Sequence, residues 1–83
     1  MPPMADRTAL EIELELMVDI AAGRVEDDAN AVPRLLVEGE WMPIPDLVWA
    51  LYRAGLATLP EGSRRWQLTG AGEQALKEAD GRA

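Results

Sequence analysis

Residues 45–75, PDLVWALYRAGLATLPEGSRRWQLTGAGEQA, carry the pattern that decides the predicted fold. A short helix is predicted from Leu47 to Ala54. Asp46 is a residue type that caps helix N-termini, and Gly55 is typical of the position just past a helix end. The segment therefore begins with a helix that the chain leaves at a glycine.

A β-hairpin is predicted directly after this helix. Leu56 to Leu59 and Arg64 to Thr69 are strand candidates, because turn-forming residue types fill Pro60 to Ser63 between them. Thr69 is the predicted N-cap of a last helix, Ala71 to Ala79. The predicted order in this part of the chain is helix, hairpin, helix.

Two short motifs in this segment resemble a known family. The Leu-x-x-x-Gly-Leu motif at Leu51 to Leu56 and the Leu-Thr-x-x-Gly motif at Leu68 to Gly72 are similar to those of winged-helix domains in bacterial regulators of the MarR and PadR type. The resemblance covers roughly residues 31–79. It implies a winged helix-turn-helix, with residues 47–54 at the recognition-helix position and residues 60–65 as the wing.

A long helix is predicted from Thr8 to Ala22, since Thr8 and Glu11 form a capping box and Gly23 provides a stop. The alternation in Leu10 to Leu16 is also a strand pattern, but Leu and Glu favour helix. Helical spacing places one apolar face on Leu10, Leu14, Met17, Val18 and Ala21, with Glu11, Glu15 and Asp19 opposite. Off this stripe, Ile12 and Leu16 either widen the core contact, which we favour, or meet a partner.

The middle of the chain is predicted to hold a second helix. Residues 23–30 are interpreted as an acidic turn, residues 31–38 as a short helix that Gly39 ends, and residues 41–45 as a stiff connection with two prolines. The predicted fold class is therefore mainly α with a small β-hairpin (α+β), in the order α-α-α-β-β-α. One domain over residues 1–83 is expected, with frayed ends at 1–7 and 80–83.

The predicted recognition helix presents an unusual outward face. Leu47, Leu51 and Ala54 are expected to face the core, which turns a second set outward: Trp49, Tyr52 and Arg53. Helices that read DNA usually present other polar side chains, whereas an aromatic residue beside an Arg is typical of protein interfaces. Of the other aromatic residues, Trp66 is expected inside with Leu68, and Trp41 in the core or at its edge.

The composition excludes most enzyme classes. The chain of 83 residues has no Cys and no His, so disulfides, zinc sites with nitrogen or sulfur ligands and imidazole bases are ruled out. A carboxylate-only active site would need a cleft that so short a chain can hardly build. We predict a protein that is not an enzyme, with no cofactor and no metal site. The absence of a secretory signal pattern and of a long apolar run predicts a soluble, cytoplasmic protein.

The net charge of -7 is concentrated in one half of the chain. Residues 1–40 contain ten acidic and three basic residues, whereas residues 41–83 contain five of each. Such a charge run is often only a solvated face that keeps a protein soluble. The alternative is a partner-binding acidic face, for which the candidates are Glu11, Glu15, Asp19, Glu26, Asp27 and Asp28.

Two functions follow from these patterns. The favoured one is a protein-interaction module or inhibitor whose acidic face occupies a basic, nucleic-acid-binding surface, as some anti-CRISPR proteins of mobile elements do; that functional class is an analogy. The alternative is a small dimeric DNA-binding regulator with Arg53 and the wing residues Arg64 and Arg65 on phosphates. Useful DNA binding commonly takes about 6 to 10 phosphate contacts, which three arginines per chain barely supply. A domain that only contributes an oligomer interface is the third possibility.

Overall fold

The computed structural model describes residues 9–81, which form an α+β domain with three helices and small antiparallel sheets. The predicted cap Thr8 and most of the predicted frayed ends lie outside these residues. The elements follow in the order α1 (Ala9–Ala21), β1 (Val25–Asp27), β2 (Pro33–Val37), β3 (Glu40–Pro43), α2 (Pro45–Arg53), β4 (Ala57–Thr58), β5 (Gln67–Leu68) and α3 (Gly70–Gly81).

The second predicted helix, residues 31–38, is wrong, because this segment contains strand β2. Ala31 and Glu38 both have positive φ, 62° and 50°, so the backbone leaves the helical region at each end. Gly39 also has positive φ, and Val37 pairs with Glu40 across the two-residue loop, as in a tight β-hairpin. Pairing between strands therefore overrides the local helix preference of Leu and Glu.

Two neighbouring segments are corrected in the same way. The predicted acidic turn at residues 23–30 contains strand β1, and the predicted stiff connection at residues 41–45 contains most of β3. Strands β1, β2 and β3 form one antiparallel sheet in that order. The predicted arrangement of helices upstream of α2 is thus replaced by α1 followed by a three-stranded sheet.

The expected helix at the start of the described chain is present as α1, and its alternating pattern is not a strand. Its buried side chains are Leu16, Met17 and Ile20, so the core-facing stripe is rotated from the predicted one. Val18, expected inside, is 48% exposed, and Ala21 is exposed. Ile12 is also exposed, whereas Leu16 joins the core as favoured.

Helices α1 and α2 both end in a Schellman motif. At α2, the Gly55 N–H donates to the Tyr52 carbonyl and the Leu56 N–H to the Leu51 carbonyl, with Gly55 at φ 79°. The equivalent pair at α1 involves Gly23 and the following residue. Both predicted glycine stops are therefore confirmed.

Helix α2 begins two residues earlier than predicted, at Pro45, and Asp46 is not its cap. Ile44 occupies the N-cap position without a side-chain hydrogen bond, and Asp46 lies in the first turn. The earlier start places Val48 and Leu51 in the core. Leu47, which is 41% exposed, and Ala54, which is also exposed, were wrongly expected there.

The predicted hairpin and last helix are present as β4, β5 and α3. The Thr69 hydroxyl oxygen accepts a hydrogen bond from the Gly72 N–H at 3.0 Å, as an N-cap does. The same hydroxyl donates to the Gly55 carbonyl at 2.6 Å. Thr69 thus ties the start of α3 to the turn that follows α2.

The chain between β4 and β5 joins the hairpin to the three-stranded sheet. Glu26 of β1 forms a bridge with Arg65. The Asp27 N–H donates to the Arg64 carbonyl at 2.7 Å, and the Trp66 N–H donates to the Val25 carbonyl at 2.9 Å. Residues 64–66 therefore extend the sheet beyond β1, so this part of the predicted wing is held along its backbone.

The core lies between α1, α2 and the two hairpins, and Trp66 is its largest side chain. Trp66 is 1% exposed, as the alternation with Leu68 predicted, and Leu68 packs against the same cluster. The buried apolar residues are Leu16, Met17, Ile20, Val25, Val48, Leu51, Ala57 and Trp66. No helix within residues 9–81 has the length and apolar character needed to cross a bilayer.

Candidate functional site

The aromatic face of α2 is exposed, but it is anchored to the core. Trp49 is 37% exposed and Tyr52 48% exposed, so both lie outward as predicted, and Arg53 is exposed beside them. The Trp49 ring nevertheless packs edge to face on Trp66, with centroids 5.6 Å apart, and on Tyr52 at the same distance. The aromatic face of α2 therefore covers the core residue Trp66, and the edge-to-face contacts stabilise this packing.

The six predicted acidic-face residues do not form one surface. Asp27 is buried, at 6% exposure, and its Oδ1 accepts a hydrogen bond from the Trp66 indole Nε1 at 2.7 Å. Its assignment to a partner-binding face is therefore wrong. A buried carboxylate requires such a partner, so Asp27 supports the fold.

Two more of these acids form ion pairs with arginines. Asp19 Oδ1 accepts from both Nε and NH2 of Arg24, at 2.9 and 2.7 Å. Glu26 Oε2 lies 3.4 Å from NH2 of Arg65. Two of the predicted partner-binding carboxylates are thus already neutralised within the chain, and one of their partners, Arg65, is an arginine that the DNA-binding alternative would engage.

Asp28 shapes the loop between β1 and β2. Its Oδ1 accepts hydrogen bonds from the backbone N–H groups of Val32 and Asn30. These two bonds, first that of Val32 and then that of Asn30, lower the pKa of the Asp28 carboxyl, and the positive charges of Arg34 and Arg64 contribute in the same direction. Asp28 therefore stays ionised to lower pH than an ordinary aspartate.

Glu11 and Glu15 remain exposed on α1. Near them, α1 and α3 leave an open groove of about 220 Å³ lined by Leu14, Val18 and Leu76, among others. Glu15 itself forms part of the groove wall.

The predicted wing arginines are placed differently from each other. The Arg65 side chain pairs with Glu26 and lies against Gly23, where an added Cβ would be 3.6 Å from its Cδ. The Arg64 side chain is exposed, although its backbone carbonyl is held by Asp27. Among residues 9–81, Arg65 thus forms an ion pair, whereas Arg64 does not.

The structure also presents a surface that the sequence patterns did not predict. We call it the β3 edge and define it as the four residues of β3 together with Glu38 of the preceding turn. All four side chains of β3 are exposed, including Trp41 at 36% and Met42 at 50%. Two carboxylates, Glu38 and Glu40, lie beside these apolar side chains, and Asp46 follows in the first turn of α2.

Pairing within the hairpin orients the side chains of the β3 edge. Met42 lies opposite Leu35, which packs against the core, whereas Trp41 lies opposite Leu36 on the outer face of the sheet. The Arg34 guanidinium lies over the Trp41 ring, 4.6 Å from its centroid. Arg34 is therefore engaged by an aromatic ring within the same sheet.

The backbone of the β3 edge is open on one side. The Ile44 N–H donates to the Pro33 carbonyl, which marks a hydrogen-bonded pair, and such pairs alternate along an antiparallel ladder. Trp41 consequently falls in a non-hydrogen-bonded pair, with its N–H and C=O directed away from β2. No strand within residues 9–81 pairs with this side of β3.

The Glu-Gly pair at residues 38 and 39 is the signal that could have identified this hairpin. It lies between two mainly apolar segments, PRLLV and EWMPI, which is the pattern of a two-residue hairpin loop. Asn-Gly or Asp-Gly would have been the stronger form of this signal, and the Glu in its place favoured the helix interpretation.

Comparisons with known proteins add no assignment. Protein-family models, curated proteins and solved structures give no match to this chain. Within residues 9–81, no group of three or more acidic side chains is arranged to hold a metal ion. The geometry and charge of the chain are therefore the basis for inferring its function.

Proposed function

We propose that this protein is a non-enzymatic, acidic interaction module that binds a positively charged segment of another protein through the β3 edge. The observation that carries the proposal is the exposure of every side chain of β3, with Trp41 and Met42 next to Glu38 and Glu40. Exposed apolar groups rimmed by charge mark interaction sites, and carboxylates select a basic partner.

The disposition of the arginines supports a protein partner over DNA. Arg24 is paired with Asp19, Arg65 with Glu26, and Arg34 is stacked on an aromatic ring. Of the three arginines assigned to phosphates, Arg65 would have to leave Glu26, and a duplex would approach a chain of net charge -7. Because phosphate contacts supply most of the affinity for DNA, this cost falls on the main source of binding energy.

The winged-helix resemblance is retained as a proposal for residues 45–81 alone. Helix α2, the β4–β5 hairpin and α3 follow one another in the order that the resemblance implies. Helix-turn-helix pairing upstream of α2 is not part of this proposal, since β2 and β3 occupy that position. An inhibitory role of the mobile-element type remains an analogy, which the net charge of -7 supports. On α2, the exposed face of Trp49, Tyr52 and Arg53 is a second contact candidate.

Fluorescence anisotropy with two labelled probes tests this function. The first probe is a synthetic heptapeptide of alternating lysine and valine, and the second is a mixed-sequence DNA duplex, each titrated at low salt. We expect the peptide to bind and the duplex not to bind. Duplex binding that is lost in the Arg64→Ala/Arg65→Ala variant, with no peptide binding, would overturn the proposal in favour of the DNA alternative.

Matched charge variants locate the site. The Glu38→Gln/Glu40→Gln variant should bind the peptide roughly tenfold more weakly, because two exposed ion pairs are each worth up to about 1 kcal/mol. The Glu61→Gln/Glu73→Gln variant removes the same charge from exposed positions elsewhere. If both variants bound the peptide equally weakly, the net charge of the protein alone would attract the peptide. That result would contradict a site at the β3 edge.

A further inference from the structure

We infer that the partner binds by strand addition: an extended basic segment of another protein pairs with β3 as a fourth, antiparallel strand of the sheet. This inference rests on the proposed function and specifies how the site acts. Three observations carry it, namely the open backbone of the edge, the alternation of its side chains and its charge.

The open backbone defines where a fourth strand would bond. Trp41 directs one N–H and one C=O outward, and Pro43, two residues on, directs outward a C=O with no N–H of its own. The edge is therefore richer in acceptors than in donors. An incoming strand would bond mainly by donating its own N–H groups, and Pro43 limits the length of the ladder.

The side chains of the edge define what the incoming strand should carry. On the outer face, Trp41 and Pro43 offer apolar contact, whereas on the other face Glu40 and Met42 offer a carboxylate beside a thioether. Directly opposed residues of an antiparallel pair share a face. A strand that alternates apolar residues and lysines therefore matches both faces, because a lysine stem packs on Met42 while its ammonium group reaches Glu40.

Charge argues for a basic partner over a second copy of this chain. Two copies joined along β3 would bring together two chains of net charge -7, with Glu38 and Glu40 of each close to the shared edge. Like charges near a shared strand pair are destabilising. The charge that opposes self-pairing attracts a lysine-rich strand.

Backbone methylation of the lysine-valine heptapeptide tests the pairing directly. In the antiparallel arrangement the residue opposite Trp41 is a valine, so valine N–H groups point toward β3 and lysine N–H groups point away. Methylating the backbone nitrogens of three valines should abolish detectable binding. Methylating the backbone nitrogens of three lysines, with their side chains unchanged, should change the affinity less than threefold. With three backbone nitrogens methylated in each, the two peptides have the same composition and charge, which makes each the control for the other.

The outcomes separate this inference from the proposed function. If both methylated peptides bind like the parent, with Glu38→Gln/Glu40→Gln still weakening them, strand addition is wrong and the basic-segment function stands. If the parent peptide does not bind at all, the proposed function itself fails. Loss of binding on lysine methylation alone would also overturn the antiparallel pairing.

Hydrogen exchange of the Trp41 amide gives an independent readout. The amide should exchange rapidly in the free protein and become protected on addition of the parent peptide. Protection without peptide that rises with protein concentration, together with a dimer in sedimentation, would identify a second copy as the occupant and overturn the inference.

Discussion

Residues 45–81 and residues 24–44 differ in how far their elements are fixed by contacts within the fold. In residues 45–81, close approach of backbone segments holds the elements together, as where Gly72 meets the Leu56 carbonyl and Thr69 joins α3 to Gly55. In residues 24–44, strand β3 contributes no buried side chain. The contrast shows that backbone contacts hold the first region together, whereas the second leaves every side chain of its outer strand exposed.

The largest expected effect is that of Gly72→Ala, which tests how tightly the 45–81 region is packed. A Cβ at this position would collide with the Leu56 carbonyl oxygen and lie 3.3 Å from the Leu68 Cβ. Because the obstacle is backbone, α3 must move away from β4, and we expect a loss of at least about 3 kcal/mol in the free energy of unfolding. Urea denaturation followed by circular dichroism measures it.

Gly70→Ala is the matched control, since nothing lies within 4 Å of a Cβ at that position in the same helix. It should leave stability unchanged or raise it slightly, because Ala is the better helix former. Equal midpoints for the two variants would show that the approach of α3 to Leu56 is not a constraint.

The sequence predicted the 45–81 region because its signals are local. Gly55 ends a helix by its own backbone freedom, and Thr69 caps the next one with its own hydroxyl, so neither depends on distant residues. Residues 31–38 were mispredicted because pairing with β1 and β3 holds Leu35 and Leu36 in a strand despite the helix preference of Leu. The one local sign of this pairing is the Glu-Gly loop at residues 38 and 39, which is a weaker hairpin signal than Asn-Gly or Asp-Gly.

The candidate site was predictable only in part, for a related reason. Exposure of Trp49, Tyr52 and Arg53 followed from helical spacing, which is local. Asp27 was wrongly placed in an acidic face because its partner, Trp66, is 39 residues away. The β3 edge was missed along with the hairpin that creates it.

An intermediate effect on stability is expected from replacing Trp49 or Trp41, one in each region. The comparison is direct because the two side chains are exposed to nearly the same extent. Trp49→Ala removes edge-to-face contacts with Trp66 and Tyr52 and should cost about 2 to 3 kcal/mol. Trp41→Ala removes one contact with Arg34 and should cost less than about 1 kcal/mol. Thermal and urea denaturation of both variants provide the measurement.

Binding should show the reverse order in the same two variants. Trp41→Ala should weaken binding of the lysine-valine peptide severalfold. Trp49→Ala, measured at a temperature where the variant is folded, should leave this affinity unchanged. If Trp49→Ala weakened the peptide more than Trp41→Ala did, the binding surface would lie on α2 and the assignment of roles to the two regions would be reversed.

The smallest expected effect is that of Glu38→Asn, which separates stability from binding within the β3 edge. Glu38 has a positive φ of 50°, a conformation that Asn adopts more readily than Glu. We therefore expect the variant to be more stable by roughly 0.5 kcal/mol while it binds the peptide about two- to threefold more weakly, because one exposed carboxylate is lost.

Glu40→Gln is its control, since it removes the same charge at an ordinary strand position and should weaken binding without any gain in stability. If Glu38→Asn bound the peptide as tightly as the unchanged protein does, Glu38 would have no part in the site. A gain in stability accompanied by a loss of binding would instead support a turn that keeps a strained glutamate for its charge, at a cost to the fold that binding at the β3 edge accounts for.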